Sequence, residues 1–491
     1  MKIDTGATAW MIAATALVLF MTPGLAFFYG GMTRAKSVLN MMMMSFVSIV
    51  TVTFAWTIYG HSLAFTDNGN KFLNKFIGGG SAIGLQSLYK TVWPTGTADG
   101  TNIPTLVYSA FQLTFAIITV ALVSGAIADR AKFSGWVIFA VAWATLVYFP
   151  VAHWVWGTGW LNKLGIEDFA GGTVVHVNAG AAALALAFVL GRRKGWPKEP
   201  MRPHNLPLVL LGAAILWFGW FGFNAGSEIG VDQTTALAFM NTQIATAVAA
   251  GAWILVEKFR DGAPTSLGVA SGAVAGLVAI TPACGFIDPW AAIVLGFVAG
   301  AGCSYAIGLK YRFGYDDALD VVGVHLVGGA IGAFSLGFLA RYPFLDQQGD
   351  GLLYGDHSLR QLGLQTLGPI VIGGYSFIMA FAIGKVIDKT IGFRVDEEVE
   401  VTGIDAVEHA ETSYDLTPSS IGTGALASAV AASYTGGSMA TRPAPTAEQE
   451  SEQEPAQKID AEAGAEAGAE AEQKAEQKAE QKPERKVEAE A

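Results

Sequence analysis

The chain has 491 residues, of which 52% are hydrophobic and only 14% charged, and its formal net charge is −11. That acidity is local: residues 396–491 carry 22 acidic and 7 basic side chains, whereas residues 1–395 carry 19 acidic and 23 basic ones. A body so poor in charge excludes an ordinary soluble domain, two cysteines exclude a disulfide framework, and no G-x-x-x-x-G-K-[ST] motif supports ATP-driven work.

Taken in chain order, stretches free of Asp, Glu, Lys and Arg run 5–33, 37–66, 100–128, 133–162, 169–191, 203–227, 233–256, 262–287, 289–309, 321–340 and 361–384. Each is long enough to cross a bilayer, so the predicted fold is an all-α polytopic membrane protein with eleven transmembrane helices. The first stretch is about twice the length of a signal-peptide apolar region and has no convincing cleavage site, so it counts as a span. A further uncharged stretch, 416–441, holds 13 Ser, Thr or Gly among its 26 residues and reads as linker. From 444 onward the Ala/Glu/Gln/Lys low complexity has nothing with which to build a core, so 417–491 is expected to be a disordered tail. The expected organisation is a membrane domain over 1–388, a cytoplasmic segment over 389–416, and that tail.

Eleven spans place the termini on opposite sides. One set of loops holds thirteen Lys and Arg, among them Arg34, Lys36, Arg130, Lys132 and the group from Arg192 to Arg202, and the other set holds seven. The excess predicts an outer N-terminus and a cytoplasmic tail in a multi-pass cell-membrane protein. Gly is abundant, with 59 residues, much of it inside the spans, where small residues let helices approach closely.

Twice an aspartate precedes a histidine by eight positions, Asp168 to His176 and Asp317 to His325, where a charged loop enters an apolar helix. Eight helical residues rise about 12 Å, which brings each His near the bilayer midplane. A costly ionisable group at that depth points to a transport path. The two helices run in opposite directions, as an inverted five-plus-five repeat with one extra helix requires.

The segments FFYGGMTR (27–34), DFAGGTVVHVNAGAAAL (168–184), WFGWFGFNAGS (217–227), ITPACG (280–285) and DDALDVVGVHLVGG (316–329) resemble the ammonium transporter family (Amt/Mep/Rh) over about residues 5–415. The resemblance implies a homotrimer with one pore per subunit that moves ammonium or ammonia inward, with methylammonium as an analogue. It assigns Trp156, Phe111 and Ser227 to an outer cation site, Phe115 and Phe223 to a stacked phenyl gate, and His176 and His325 to a facing pair below it. Trp156 favours the Amt branch over the Rh-type gas channels. Asp168 has two readings, an N-cap of its helix and a group that supports recruitment and deprotonation of the cation, with the cap placed first. Asn224 and Thr281 match positions near the pore lining, with interhelical hydrogen bonds as the equal alternative. The segment ending EHAETSY implies cytoplasmic regulation and, as in many bacterial members, docking of a PII signalling protein, although the extension past 416 departs from the common pattern.

No cofactor, metal or nucleic-acid partner is expected. Two rivals stay open: an ammonium sensor with little flux, and a membrane electron carrier using His176 and His325 as axial haem ligands.

Overall fold

In this computed structural model the described residues are 2–96, 100–341, 351–354 and 359–414. The expected tail, 417–491, lies outside them. Among the described residues, ten helices are long and apolar enough to cross a membrane: α1 (Thr5–Met32), α2 (Ala35–Phe65), α3 (Thr105–Ile127), α4 (Phe133–Leu164), α5 (Gly172–Leu190), α6 (Leu206–Glu228), α7 (Gln233–Arg260), α9 (Pro289–Phe313), α10 (Val322–Leu339) and α11 (Leu359–Thr390). The expected eighth span is shorter than its uncharged stretch: α8 is a 15-residue helix, Ser266–Ile280. The remainder of that stretch, Thr281–Phe286, is spent on turns before Pro289 opens α9.

An internal symmetry of neighbours is visible. Helix α1 packs along α6, α2 packs against α3 and α4, and α7 packs against α8 and α9. Glycines let the first pair touch: a Cβ on Gly212 would lie 2.3 Å from the Phe28 amide nitrogen, and one on Gly222 would lie 2.7 Å from the Leu17 Cβ.

Helices α5 and α10 open alike. The Asp168 carboxylate accepts hydrogen bonds from the Gly171, Gly172, Thr173 and Val174 amides and from the Thr173 hydroxyl, at 2.5–3.1 Å. The Asp317 carboxylate accepts from the Val321 and Val322 amides at 3.1 and 2.7 Å. Each capped start continues into a π-helical turn, Gly172–Val177 and Val322–Leu326, which contains the histidine. Such turns concentrate at functional sites, because the widened ring re-aims one side chain.

The opposite end of α3 and α5 carries a buried ionic network. Arg193 donates to both Asp316 oxygens, at 2.8 and 2.9 Å, and to Asp129 at 3.2 Å, while Arg130 donates to the Asp316 carbonyl at 2.6 Å. Burial alone would lift the Asp316 carboxyl, but hydrogen bonds from Arg193 and the charge of Arg130 hold it below the ordinary carboxylate range. A depressed carboxyl stabilises the fold above its unfolded pKa, and the contribution is lost as pH falls through the lower folded value. Asp316→Ala would leave buried Arg193 with Asp129 as its one remaining carboxylate and would remove the counter-charge beside buried Arg130, and a loss of about 3–5 kcal/mol is expected. An unchanged melting temperature in detergent at neutral pH would refute this.

The segment after α11 lies against the starts of α2 and α4 and the loop after α5. Asp405 accepts from the Leu39 and Asn40 amides at 2.9 and 2.8 Å, Glu408 accepts from the Phe133 amide at 3.1 Å, and Glu400 accepts from the Lys194 amide and from Arg394, each at 2.6 Å. Further along, Tyr414 meets His204 at 2.8 Å.

Candidate functional site

Five aromatic side chains form a file. Trp156 closes the long part of α4, where Gly157 and Gly159 break the helix before its final turn, Trp160–Leu164, and its indole N–H donates to the Asp168 carbonyl at 2.9 Å. Its ring stands edge-on to Phe115, with centroids 5.9 Å apart. Phe111, one turn earlier on α3, lies 4.8 Å from Phe115. Phe115 and Phe223 stack at 4.0 Å with their planes 22° apart, both almost fully buried. Next in line, Phe223 lies 6.1 Å from the His176 ring and Trp220 lies 5.3 Å from it.

His176 and His325 face each other with Nδ1 atoms 3.2 Å apart and rings inclined by 25°. One of these nitrogens donates and the other accepts, so a single proton serves both. His176 Nε2 is buried without a protein partner. His176 also lines a small cavity of about 10 Å³ together with Leu25, Ile118, Val175, Trp220, Phe223 and His325, among other side chains. That is room for about one small molecule, and the walls are mostly apolar.

Glycines again set the spacing. Four residues after each histidine, a Cβ on Gly180 would lie 2.4 Å from the Leu326 amide, and one on Gly329 would lie 2.7 Å from the Gly172 carbonyl. The rings meet because the two backbones cross in contact.

Ser227 ends α6 one turn beyond Phe223, and its hydroxyl donates to the Phe223 carbonyl at 2.8 Å, which leaves its lone pairs free to accept. Asn224 and Thr281 are occupied elsewhere: Asn224 donates to Thr242 at 2.9 Å, while Thr281 accepts from the Trp220 indole at 2.9 Å and donates to the Leu277 carbonyl. Both make interhelical bonds, and Thr281 reaches the site through Trp220. The Asp168 carboxylate is engaged by five donors, as its cap reading requires. Axial haem ligation needs about 4 Å between ligating nitrogens, twice an ordinary metal–imidazole bond, with a macrocycle between them. The 3.2 Å contact leaves no such gap.

Beyond the histidines a second cavity, of about 70 Å³, is lined by Tyr29, Trp253, Glu257, Ser271, Asp320 and His325, among others. Residues Glu257 and Ser271 carry no sequence signal that separates them from ordinary helix-end polar groups.

Residues 9–414 match the sequence model of the Ammonium Transporter Family. An ammonium transporter of Mycobacterium tuberculosis (strain ATCC 25618 / H37Rv) is 51% identical, covering 84% of this chain and 91% of that protein. Among solved structures, Saccharomyces cerevisiae Mep2 superposes with a TM-score of 0.74 at 33% identity, covering 81% of this chain and 89% of that one. A structure described as a sensor Amt protein superposes equally well, at 0.74, but at 27% identity, covering 82% of this chain and 98% of that one. With the spans, the motifs and these likenesses in agreement, the chain belongs to the ammonium transporter family: it is a multi-pass membrane protein for ammonium transport, not an enzyme.

Proposed function

We propose that ammonium is held at the outer end of the file by the faces of Trp156 and Phe111 and by the acceptor hydroxyl of Ser227, and gives up its proton before the Phe115–Phe223 pair. It then passes into the cell as ammonia along His176 and His325. Ammonium and potassium are alike in charge and size, so an open polar tube would pass both. A dry phenyl constriction admits only the species that can shed its charge. The aromatic faces attract the bare cation by its interaction with the ring quadrupole, and Ser227 accepts one N–H. Asp168 holds Trp156 through its carbonyl and caps α5, and its negative charge favours a cation nearby. The shared proton of the histidine pair gives the released proton a route through the same constriction.

The observation that carries this reading is the serial order of a stacked phenyl pair and a buried histidine pair, with a small cavity lined by both histidines and by Phe223. The higher identity of the relative named as a transporter favours flux over sensing. On the same reading the N-terminus is outside, the 389–416 segment faces the cytoplasm, three copies assemble, and a PII protein docks on that face.

The test is ammonium-evoked current from purified protein in liposomes. Trp156→Leu removes the indole face, worth about 1 kcal/mol, and should raise the half-saturating ammonium concentration about fivefold. Unchanged concentration dependence would remove Trp156 from the recruitment site.

A further inference from the structure

Two cavities adjoin beyond the histidines, and a charged pair stands where they meet. The inner one, of about 70 Å³, is bounded by His325, and the second, of about 210 Å³, is bounded by Lys310 and Tyr311. Leu319 and Asp320 line both. The backbone fixes Asp320 in this position: its φ is +62°, a left-handed conformation that Asp and Asn accept more readily than other side chains, and its carbonyl accepts from the Val324 amide at 3.0 Å.

Lys310, in the last turns of α9, donates to the Asp320 carboxylate at 2.7 Å and to the Asp317 carbonyl at 3.2 Å, with the Tyr311 ring 5.5 Å from its nitrogen. An anion, a neutral acceptor and an aromatic face are the groups that bind a free ammonium ion. An alkylammonium head therefore already occupies Asp320. The other carboxylate of the inner cavity, Glu257, is treated differently. It is buried, and it accepts from the Thr265 amide at 2.9 Å, from the Thr265 hydroxyl at 3.0 Å and from the Trp253 indole at 3.2 Å, each a neutral donor. A pairing that served stability alone would set the cation on the buried carboxylate, because an uncompensated charge costs most where water is scarce. Here the cation stands on Asp320, whose side chain is 31% exposed, and the charge of Glu257 is left at the wall of the inner cavity.

We propose that the inner cavity is an exit site for the product cation, held by Glu257 and Asp320, and that Lys310 is a tethered ammonium group that competes for Asp320 and so keeps the exit from retaining product. This inference rests on the proposed route past His325, where the lone pair of ammonia takes up the proton carried by the histidine pair and ammonium forms again. Two uncompensated carboxylates around so small a space would hold that ion. With Asp320 already neutralised, the site binds weakly enough to empty, as a conducting path requires. On its way into the second cavity the ion exchanges with the Lys310 head at Asp320, one ammonium for another.

The experiment measures one-way entry of labelled methylammonium into membrane vesicles that keep the orientation of the cell, loaded with increasing internal ammonium chloride and clamped at zero voltage. In the natural protein internal ammonium should slow tracer entry only weakly. Lys310→Met, which keeps the bulk of the side chain without its charge, should be half-inhibited at about fivefold lower internal ammonium, with the outer half-saturating concentration unmoved. Lys310→Arg keeps a cation at Asp320 and should return the natural value. Adding Asp320→Asn to Lys310→Met removes the vacated carboxylate and should abolish the extra inhibition. An ion pair that only holds the fold would lower the melting temperature and leave the internal half-inhibition where it was. That result in Lys310→Met overturns the proposal, and so does an extra inhibition that survives Asp320→Asn. Lys310→Gln, read by the same outcomes, takes the place of the Met variant if that one does not fold. Absence of ammonium-evoked current in the natural protein, or full current without His176 and His325, would mean that the underlying route has failed; a working relay with equal internal half-inhibition in natural protein and Lys310→Met sinks the exit site alone.

Discussion

Replacing His176 and His325 together by leucine is expected to abolish ammonium-evoked current. The pair supplies the polar, protonatable atoms that the described geometry places behind the phenyl stack, and with both removed a proton released before Phe115 and Phe223 has no carrier across the apolar stretch. Ammonia can still leak through, so uptake of the neutral gas should fall less than current. A single acidic replacement, His325→Glu, restores a proton acceptor but places a charge that favours potassium entry. Selectivity should therefore fail before total flux does. Current, potassium leak and recovery of folded protein are to be measured side by side. Full, selective current in a well-folded double variant refutes the relay, whereas loss of folded protein in both variants assigns the pair to packing.

Gly180→Ala is expected to be nearly as damaging, although it adds one methyl group and touches no polar atom of the file. The new Cβ would meet the Leu326 amide nitrogen at 2.4 Å, and a backbone atom cannot rotate away as a side-chain tip can. Overpacking of this kind costs about 1–3 kcal/mol, relieved here by parting α5 from α10 next to His325. A loss of current of tenfold or more is expected, with a smaller fall in melting temperature. Gly329→Ala, which meets the Gly172 carbonyl at 2.7 Å from the other side of the crossing, should behave similarly. Normal current in either variant would show that the crossing yields and that ring separation is not set there.

The uncharged stretches located the membrane helices, because hydrocarbon penalises every charge alike and the penalty is written locally. The same rule overran the helix at 262–287: charge is absent from turns as well as helices, and the turn Thr281–Phe286 is shielded by packing. The twin Asp–His spacing was legible because a cap and a helical rise are both local geometry. The π-turns that hold the histidines were not, since they depend on contact between α5 and α10. Trp156, Phe111 and Ser227 came from resemblance, as periodicity cannot tell a binding aromatic from a packing one.

The glycine seams of α1 with α6 and of α5 with α10 bear on energy coupling. Transporters that alternate access usually rock one repeat against the other, which requires an interface able to slide. Here the repeats meet backbone to backbone at two crossings, and sliding would drive carbonyls and amides into each other. On the proposed function, a seam so locked gives no stroke with which to harness a second ion or a nucleotide, and inward flow follows the substrate's own gradient.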